Sequence, residues 1–171
     1  MSYALYPYMV KMESIDEVFA SQNESLLNDL VANQKKALLK LQNDVDSELS
    51  PIEALKEIFS GNLTEKEDTA VYTYIIELIC AHLGHPLPAT EWMNLSMNWL
   101  MDINMTASLP MSKIPLPKNF PYVLSIPYAE LEDFVDIMAA LDLEEEEPWI
   151  EFEAWLALLN KEKGDLVIFF Y

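Results

Sequence analysis

Arginine is absent from this sequence of 171 residues, and cysteine, histidine and glycine are scarce. With Cys80 as the only cysteine, an intramolecular disulfide and the C-x-x-C spacing of zinc and redox sites are both excluded. The chain has 3 glycines, too few for a Gly-rich phosphate loop. Gly61, Gly84 and Gly164 are each expected to end a helix instead.

Long apolar runs are also missing. The longest nearly uncharged stretch, residues 92–111, contains Asp102 and Pro110 and is rich in Asn and Ser. It therefore lacks the roughly 20 apolar residues that a membrane span needs. The first residues show no basic region followed by an apolar run and a cleavage site. We therefore expect no transmembrane helix and a cytoplasmic protein.

Charge of one sign dominates the sequence. The chain has 29 Asp and Glu against 10 Lys, which gives a formal net charge of -19. A phosphate backbone is bound through several Lys or Arg contacts, and this field would repel it, so nucleic acid is not an expected partner. Two interpretations of the charge stay open: it serves solubility and reflects a base composition that disfavours Arg codons, or it attracts a basic protein.

The fold prediction is a single α+β domain over residues 1–171. Hydrophobic residues make up 51% of the chain, enough for one core without disulfides. Aromatic and β-branched patterns predict strands over residues 2–10, near residue 124 and over residues 165–171. Pro7 suits an edge strand because it cannot donate to a ladder, whereas the continuous apolar run at the C-terminus suits a central strand.

Five or six helices are expected to pack around this small sheet. Ser14, Ser21 and Ser50 each precede a Glu by three residues, the pattern of a capping box at a helix start, and Thr64 is followed by Glu67 in the same way. Apolar spacing predicts one helix over residues 22–42 and another over residues 128–141. Pro148 is suited to open the last helix.

Catalytic and metal-binding patterns are weak. Cys80, His82 and His85 are the only candidates for a nucleophile and base or for a zinc site, and their spacing matches no compact zinc motif. Cys80 lies within an apolar helix pattern and is expected to be a buried, inert thiol. Among 29 acids, some carboxylate pair always has a suitable spacing, so such pairs carry no signal. We therefore predict no enzyme activity, no metal and no cofactor.

An acidic run is the most informative feature of the second half. No Lys lies between Lys118 and Lys161, while acids crowd residues 130–153 around Trp149. Clustered carboxylates beside an aromatic anchor suit an interface with a basic protein. A solvated turn between helices, with Trp149 in the core, is the alternative. The predicted partner-binding residues are Asp136, Asp142, Glu144, Glu145, Glu146, Glu147, Trp149 and Glu151.

A second cluster, rich in Met and Trp, lies in the middle of the chain. It either fills the core, as Met often does, or lines an apolar groove for a ligand or helix. Both interpretations stay open. Its members are Trp92, Met93, Met97, Trp99, Met101 and Met105.

Both ends of the chain resemble a known kind of protein. The Tyr-rich opening of residues 1–10, the Glu24-Ser-Leu-Leu segment, and the closing Trp155-Leu-Ala-Leu-Leu helix with Lys163-Gly164 and a hydrophobic strand look like small uncharacterised bacterial proteins. The resemblance covers about the first 30 and last 20 residues. It implies a fold and a bacterial source, and it transfers no site. In its small size and acidity the chain also resembles immunity proteins, which neutralise basic toxins.

The leading hypothesis is thus an acidic inhibitor or immunity-type protein that binds a basic protein partner. The alternative is a binding or structural protein that has no toxin partner.

Overall fold

A four-stranded antiparallel sheet organises the protein. The computed structural model describes residues 4–45, 47–64, 69–89, 108–117, 121–140 and 146–171. In these residues the strands are β1 (Leu5–Val10), β2 (His85–Pro86), β3 (Tyr122–Ile126) and β4 (Asp165–Phe170). Their order across the sheet is β2-β1-β4-β3. Both predicted terminal strands and the strand near residue 124 thus meet in one sheet.

β4 occupies a central position, as its apolar sequence predicted. Leu5 of β1 and Tyr122 of β3 both face Phe170 in register, one on each side of β4. Residues 166–170 are all buried. A strand that is covered on both faces and paired on both edges needs a nearly continuous apolar sequence.

β1 is not the edge strand that Pro7 suggested, because β2 pairs with part of its outer side. Ala4 and Tyr171 exchange backbone hydrogen bonds of 3.0 and 3.1 Å, and bonding residues alternate along an antiparallel pair. This alternation turns the nitrogen of Pro7 away from β4. On that outer side the Pro7 carbonyl accepts from the amide of Leu87 at 2.9 Å. Proline is tolerated at this position because its nitrogen faces away from β4, so no hydrogen bond to that strand is lost.

Seven α-helices occur in the described ranges, against the five or six predicted, and the α+β class is confirmed. No helix among these residues is both long and apolar enough to cross a membrane. The helices are α1 (Met12–Asp16), α2 (Glu24–Asn33), α3 (Lys35–Asp44), α4 (Pro51–Ser60), α5 (Ala70–Leu83), α6 (Leu131–Ala139) and α7 (Glu146–Glu162), and a short 3-10 helix covers Tyr128–Glu130.

The sheet separates two hydrophobic cores, because alternate residues of a strand point to opposite faces. Tyr8, Val167 and Phe169 belong to the first core, which α1 to α5 cover. Met9 and Ile168 belong to the second core, which α6 and α7 cover. The Met- and Trp-rich cluster within residues 92–105 lies outside the described residues.

The predicted helix over residues 22–42 is two helices. Gln34 joins α2 to α3 with φ -100° and ψ 14°, outside the helical region. Its amide still donates to the Leu30 carbonyl at 2.8 Å, so the chain changes direction without losing this bond. Leu30 of α2 and Leu38 of α3 are both buried in the first core. The break at Gln34 accompanies the packing of both helices on the first core. Helical periodicity in the sequence does not reveal such packing.

Helix starts were predicted at Ser14, Ser21 and Ser50, and the start at Ser50 is confirmed. Ser50 and Glu53 form the complete capping box of α4. At α2 the cap is Asn23, whose side chain accepts from a first-turn amide, and Ser21 instead accepts from the Asn23 amide. Ser14 lies inside α1, which begins two residues earlier. Asn and Ser are equally good caps, so sequence spacing did not decide between neighbours.

The ends of helices α4 and α7 show two uses of glycine. Gly61 ends α4 in the left-handed conformation, with φ 75°, as predicted. After α7 it is Lys163 that has the positive φ, 50°, whereas a Cβ on Gly164 would lie 2.4 Å from Met9 Cγ. Gly164 therefore serves close packing against β1. The predicted helix start at Thr64 is wrong, since α5 begins at Ala70.

Candidate partner-binding surface

Helices α6 and α7 form an antiparallel hairpin on the second core, and aromatic side chains hold them there. The ring of Phe134 in α6 lies 5.5 Å from that of Phe152 in α7, edge to face. Phe152 also meets the buried Trp155 at 6.2 Å. The Trp155 indole donates to the Pro88 carbonyl at 2.6 Å. Aromatic pairs of this geometry stabilise a fold by more than their buried area alone provides, so these contacts hold α6 and α7 together on the second core.

A groove of about 520 Å³ lies between the start of α6 and the second half of α7. Its floor is apolar, and a carboxylate, an amide and a tyrosine contribute polar atoms to its walls. This combination of apolar floor and polar wall is typical of sites that bind a partner or ligand. The lining residues are Tyr128, Ala129, Leu131, Glu132, Val135, Leu156 and Asn160.

Helical spacing continues the two helix faces that line the groove beyond its lining residues. On α6, Asp136 follows Glu132 by four residues and both are exposed, so they share one face. On α7, Trp149, Glu153 and Leu156 follow at intervals of four and three and form one stripe. Asp136, Trp149 and Glu153 are not themselves lining residues of the groove, but they continue the helix faces that line it.

Trp149 lies partly in the core and partly at the surface, the two positions that the sequence left open for it. It is half-buried and packs against the second core, with its ring 5.6 Å from that of Phe152. Its indole nitrogen donates to the Glu153 carboxylate at 3.1 Å. One side of the ring thus belongs to the core, while the other side remains open beside the carboxylates.

Acids dominate the charges of the hairpin, and Lys161 in the last turn of α7 is the one base in the two helices. Glu130, Glu132, Asp133 and Asp136 are exposed around α6, as is Glu153 on α7. The sequence holds no Lys between residues 118 and 161 to offset them. Between described residues one ion pair is formed, Lys161 Nζ to Glu162 Oε1 at 3.4 Å, beyond the groove. Like charges at this density repel each other, and a cation that docks beside them relieves the repulsion.

The predicted site residues separate into three groups. Asp136 and Trp149 continue the helix faces that line the groove, whereas Glu151 is half-buried on the opposite side of α7 from Glu153. Glu146 and Glu147 belong to the first turn of α7, and only their backbone is described. Asp142, Glu144 and Glu145 lie outside the described residues.

Sequence reasoning missed Glu132, Glu153 and the apolar floor around Leu156. Their signal was available, because all three recur at helical spacing within α6 or α7. The densest run of acids, Glu144 to Glu147, is a more conspicuous pattern than this helical spacing and lies elsewhere in the chain. Contiguous acids in a sequence point in different directions on a helix, whereas residues three or four apart share a face.

Cys80, His82 and His85, the catalytic candidates of the sequence, differ in their burial. Cys80 is buried in the first core as predicted, and burial raises the pKa of its thiol, which disfavours the reactive thiolate. His85 is exposed in β2, and His82 is half-buried on α5. Within the described ranges no group of three or more metal-ligating side chains comes together.

Comparison with known proteins gives one match. The model of a family described as Domain of unknown function (DUF7691) matches residues 1–171, and the chain belongs to that family. No curated protein and no solved structure matches the chain.

Proposed function

We propose that this member of the DUF7691 family binds a basic protein partner and neutralises it, as an inhibitor or immunity-type protein does. The observation that carries the proposal is the groove between α6 and α7, which joins apolar residues to the Glu132 carboxylate, with the exposed Asp136 on the same face of α6. No cation of the same segment offsets these carboxylates, since Lys is absent between residues 118 and 161.

Docking on this groove would proceed in two steps. The negative field first steers a Lys- or Arg-rich surface toward the hairpin, which raises the association rate and makes it fall with salt. Apolar side chains of the partner then cover the floor at Leu131, Val135 and Leu156. Glu132, Asp136 and Glu153 remain at the rim, where charges affect association more than dissociation.

The open side of Trp149 supplies the anchor of this surface. Hot spots of interfaces are enriched in Trp and lie where water is excluded. Its hydrogen bond to Glu153 fixes the indole before the partner arrives, so little side-chain entropy is lost on binding. A pre-organised ring beside carboxylates favours a cationic side chain, because a cation is attracted to the indole face.

The test compares two variants of equal charge. The groove variant combines Glu132→Gln, Asp136→Asn and Glu153→Gln. The control variant combines Glu13→Gln, Asp29→Asn and Glu48→Gln, which are exposed on the side of the first core or in its loops. Each changes three charges, so the formal net charge of -19 becomes -16 in both. Melting curves serve as the fold control.

Both variants and the wild type are used to capture partners from lysate of the source cells over a salt series, and association rates with the purified partner are then measured. We expect the groove variant to associate at least tenfold more slowly, and the control to stay within about twofold of the wild type. Equal loss in both variants would mean that net charge alone acts, and the groove would have no role.

Neutralisation needs its own measurement. The captured partner is expressed alone and together with this protein, and cell growth and partner activity are recorded. Relief of toxicity by the wild type, and weaker relief by the groove variant, is the expected result. A partner that has no toxic activity would instead support a binding or structural role.

A further inference from the structure

A second pocket, lined by tyrosines, lies on the opposite side of the sheet from the groove. It has a volume of about 400 Å³ and lies between α3, α5 and the ends of β1 and β4. Leu41 and Leu78 supply apolar surface from the two helices, and Tyr6 and Tyr171 close it from the strands. We call it the tyrosine pocket. Its size is within the range of small-molecule sites, for which roughly 300–1,000 Å³ is usual.

Three aromatic rings form one wall of the tyrosine pocket. Tyr74 and Tyr171 are stacked, with centroids 5.1 Å apart and planes at 17°. Tyr6 lies 5.2 Å from Tyr171 at 59°. Tilted rings that share one wall present their electron-rich faces in more than one direction. Such walls attract cations, since the face of a tyrosine carries a negative quadrupole.

Glu77 places a carboxyl group in this pocket. Its Oε1 accepts from the hydroxyl of Tyr8 at 2.9 Å. Among the described residues no Lys forms an ion pair with it. Burial raises the pKa of Glu77 to about 7, and the hydrogen bond from Tyr8 opposes this only in part. The carboxyl group therefore has capacity for a further donor and lacks a cation.

Tyr171 adds a second unsatisfied group. Its hydroxyl oxygen is enclosed and has no hydrogen-bond partner among the described residues. A buried hydroxyl without a partner costs about 1–3 kcal/mol and is uncommon in native structures. Because this oxygen is closed to solvent, a ligand in the pocket contacts the ring of Tyr171, and Glu77 is the group that can accept its donor.

The charges of the tyrosine pocket favour a cation over an anion. Lys40 and Asp44 line it from α3, four residues apart, and their charges offset each other. Among the lining residues, the charge of Glu77 is then the one that no opposite charge offsets. An anionic ligand would meet this carboxyl group and the field of a chain with net charge -19. A neutral ligand would leave the carboxyl group unpaired.

We propose that the tyrosine pocket binds a small organic cation, a free amine whose ammonium group contacts Glu77 and the tyrosine rings while its apolar body packs on Leu41 and Leu78. The ammonium has three donors and no acceptor, which matches the remaining acceptor capacity of the Glu77 carboxylate. This site is independent of the groove between α6 and α7.

The test uses three probes of similar body and different charge: 2-phenylethylamine, 3-phenylpropionate and 2-phenylethanol. Binding to the purified protein is measured by calorimetry in 0.15 M and 0.5 M salt, because the high net charge attracts any cation weakly and salt screens that attraction. We expect the amine to bind at least tenfold more tightly than the alcohol in both salts, and the carboxylate not to bind. Equal affinity for the three probes, or no binding by any of them, would overturn the proposal.

Variants then locate the amine. Glu77→Gln keeps an acceptor for Tyr8 and removes the charge, so amine affinity should fall at least tenfold while alcohol affinity stays the same. Tyr171→Phe removes only the enclosed hydroxyl and keeps the ring of the wall, so it should leave the affinity for the amine within about twofold and should not lower the melting temperature. Glu17→Gln, an exposed site on the loop after α1, is the charge-matched control and should change nothing. Equal loss in Glu17→Gln would show that the amine is attracted by net charge alone and that the pocket is not its site.

A peptide with one lysine between apolar residues distinguishes a free amine from a protein side chain. The proposal expects the free amine to bind at least tenfold more tightly than this peptide, because the apolar surface of Leu41 and Leu78 is assigned to the body of the amine itself. Tighter binding of the peptide would overturn the small-molecule assignment and favour a protein lysine as the occupant.

Discussion

Replacement of Glu77 by Gln should stabilise the protein at neutral and alkaline pH and have little effect in acid. In the unfolded chain this carboxyl group loses its proton near the ordinary pKa of 4.5, whereas the folded protein holds the proton to about pH 7. Between these values the unfolded state binds fewer protons, so the free energy of unfolding falls as pH rises. Above about pH 7 the Glu77 carboxyl group is ionised in the folded protein, and the whole free-energy cost of burying its charge is present.

The magnitude follows from the shift of the Glu77 pKa from 4.5 to about 7. One pKa unit corresponds to about 1.4 kcal/mol, so burial of the ionised carboxyl group costs about 3 kcal/mol at pH 8. Gln cannot ionise and still accepts from Tyr8. Burial raises the pKa of Tyr8 and of Cys80, the two groups whose pKa the Glu77 charge also raises, so both keep their protons from pH 4 to 8.

The assay is urea unfolding at pH 4, 6 and 8 on wild type, Glu77→Gln and Glu17→Gln. We expect Glu77→Gln to match the wild type at pH 4 and to exceed it by about 3 kcal/mol at pH 8. Glu17→Gln measures the general benefit of removing one negative charge from an acidic chain. A constant difference between Glu77→Gln and the wild type at all pH values would refute the reasoning, because it would mean that Glu77 titrates alike in both states.

Two further predictions concern the fold. Gly61→Ala should destabilise the protein by about 1–2 kcal/mol or more, because Gly61 has φ 75° and an added Cβ would lie 2.6 Å from Ala20 Cβ; an unchanged unfolding midpoint in urea would contradict this geometry. Deletion of residues 165–171 should abolish cooperative unfolding, monitored by circular dichroism, because β4 pairs with both β1 and β3. A truncated protein that melts at the wild-type temperature would show that β4 is dispensable.

Local signals in the sequence determined several elements of this protein. The capping box of Ser50 and Glu53 fixed the start of α4, because both partners lie in one turn and need nothing from the rest of the chain. The apolar run of residues 165–171 determined a central strand, since burial on both faces requires such a run. The sequence also predicted that Cys80 is buried.

Tertiary structure decided the sites. The groove needs α6 and α7 side by side, and the tyrosine pocket joins Tyr6, Tyr74 and Tyr171, which are far apart in the chain. No local pattern reveals which residues meet across such distances, because contacts between elements depend on how the two cores pack. The Glu77 carboxyl group, which accepts from Tyr8, is of the same kind: composition supplies the acid, and only burial in the tertiary structure raises its pKa.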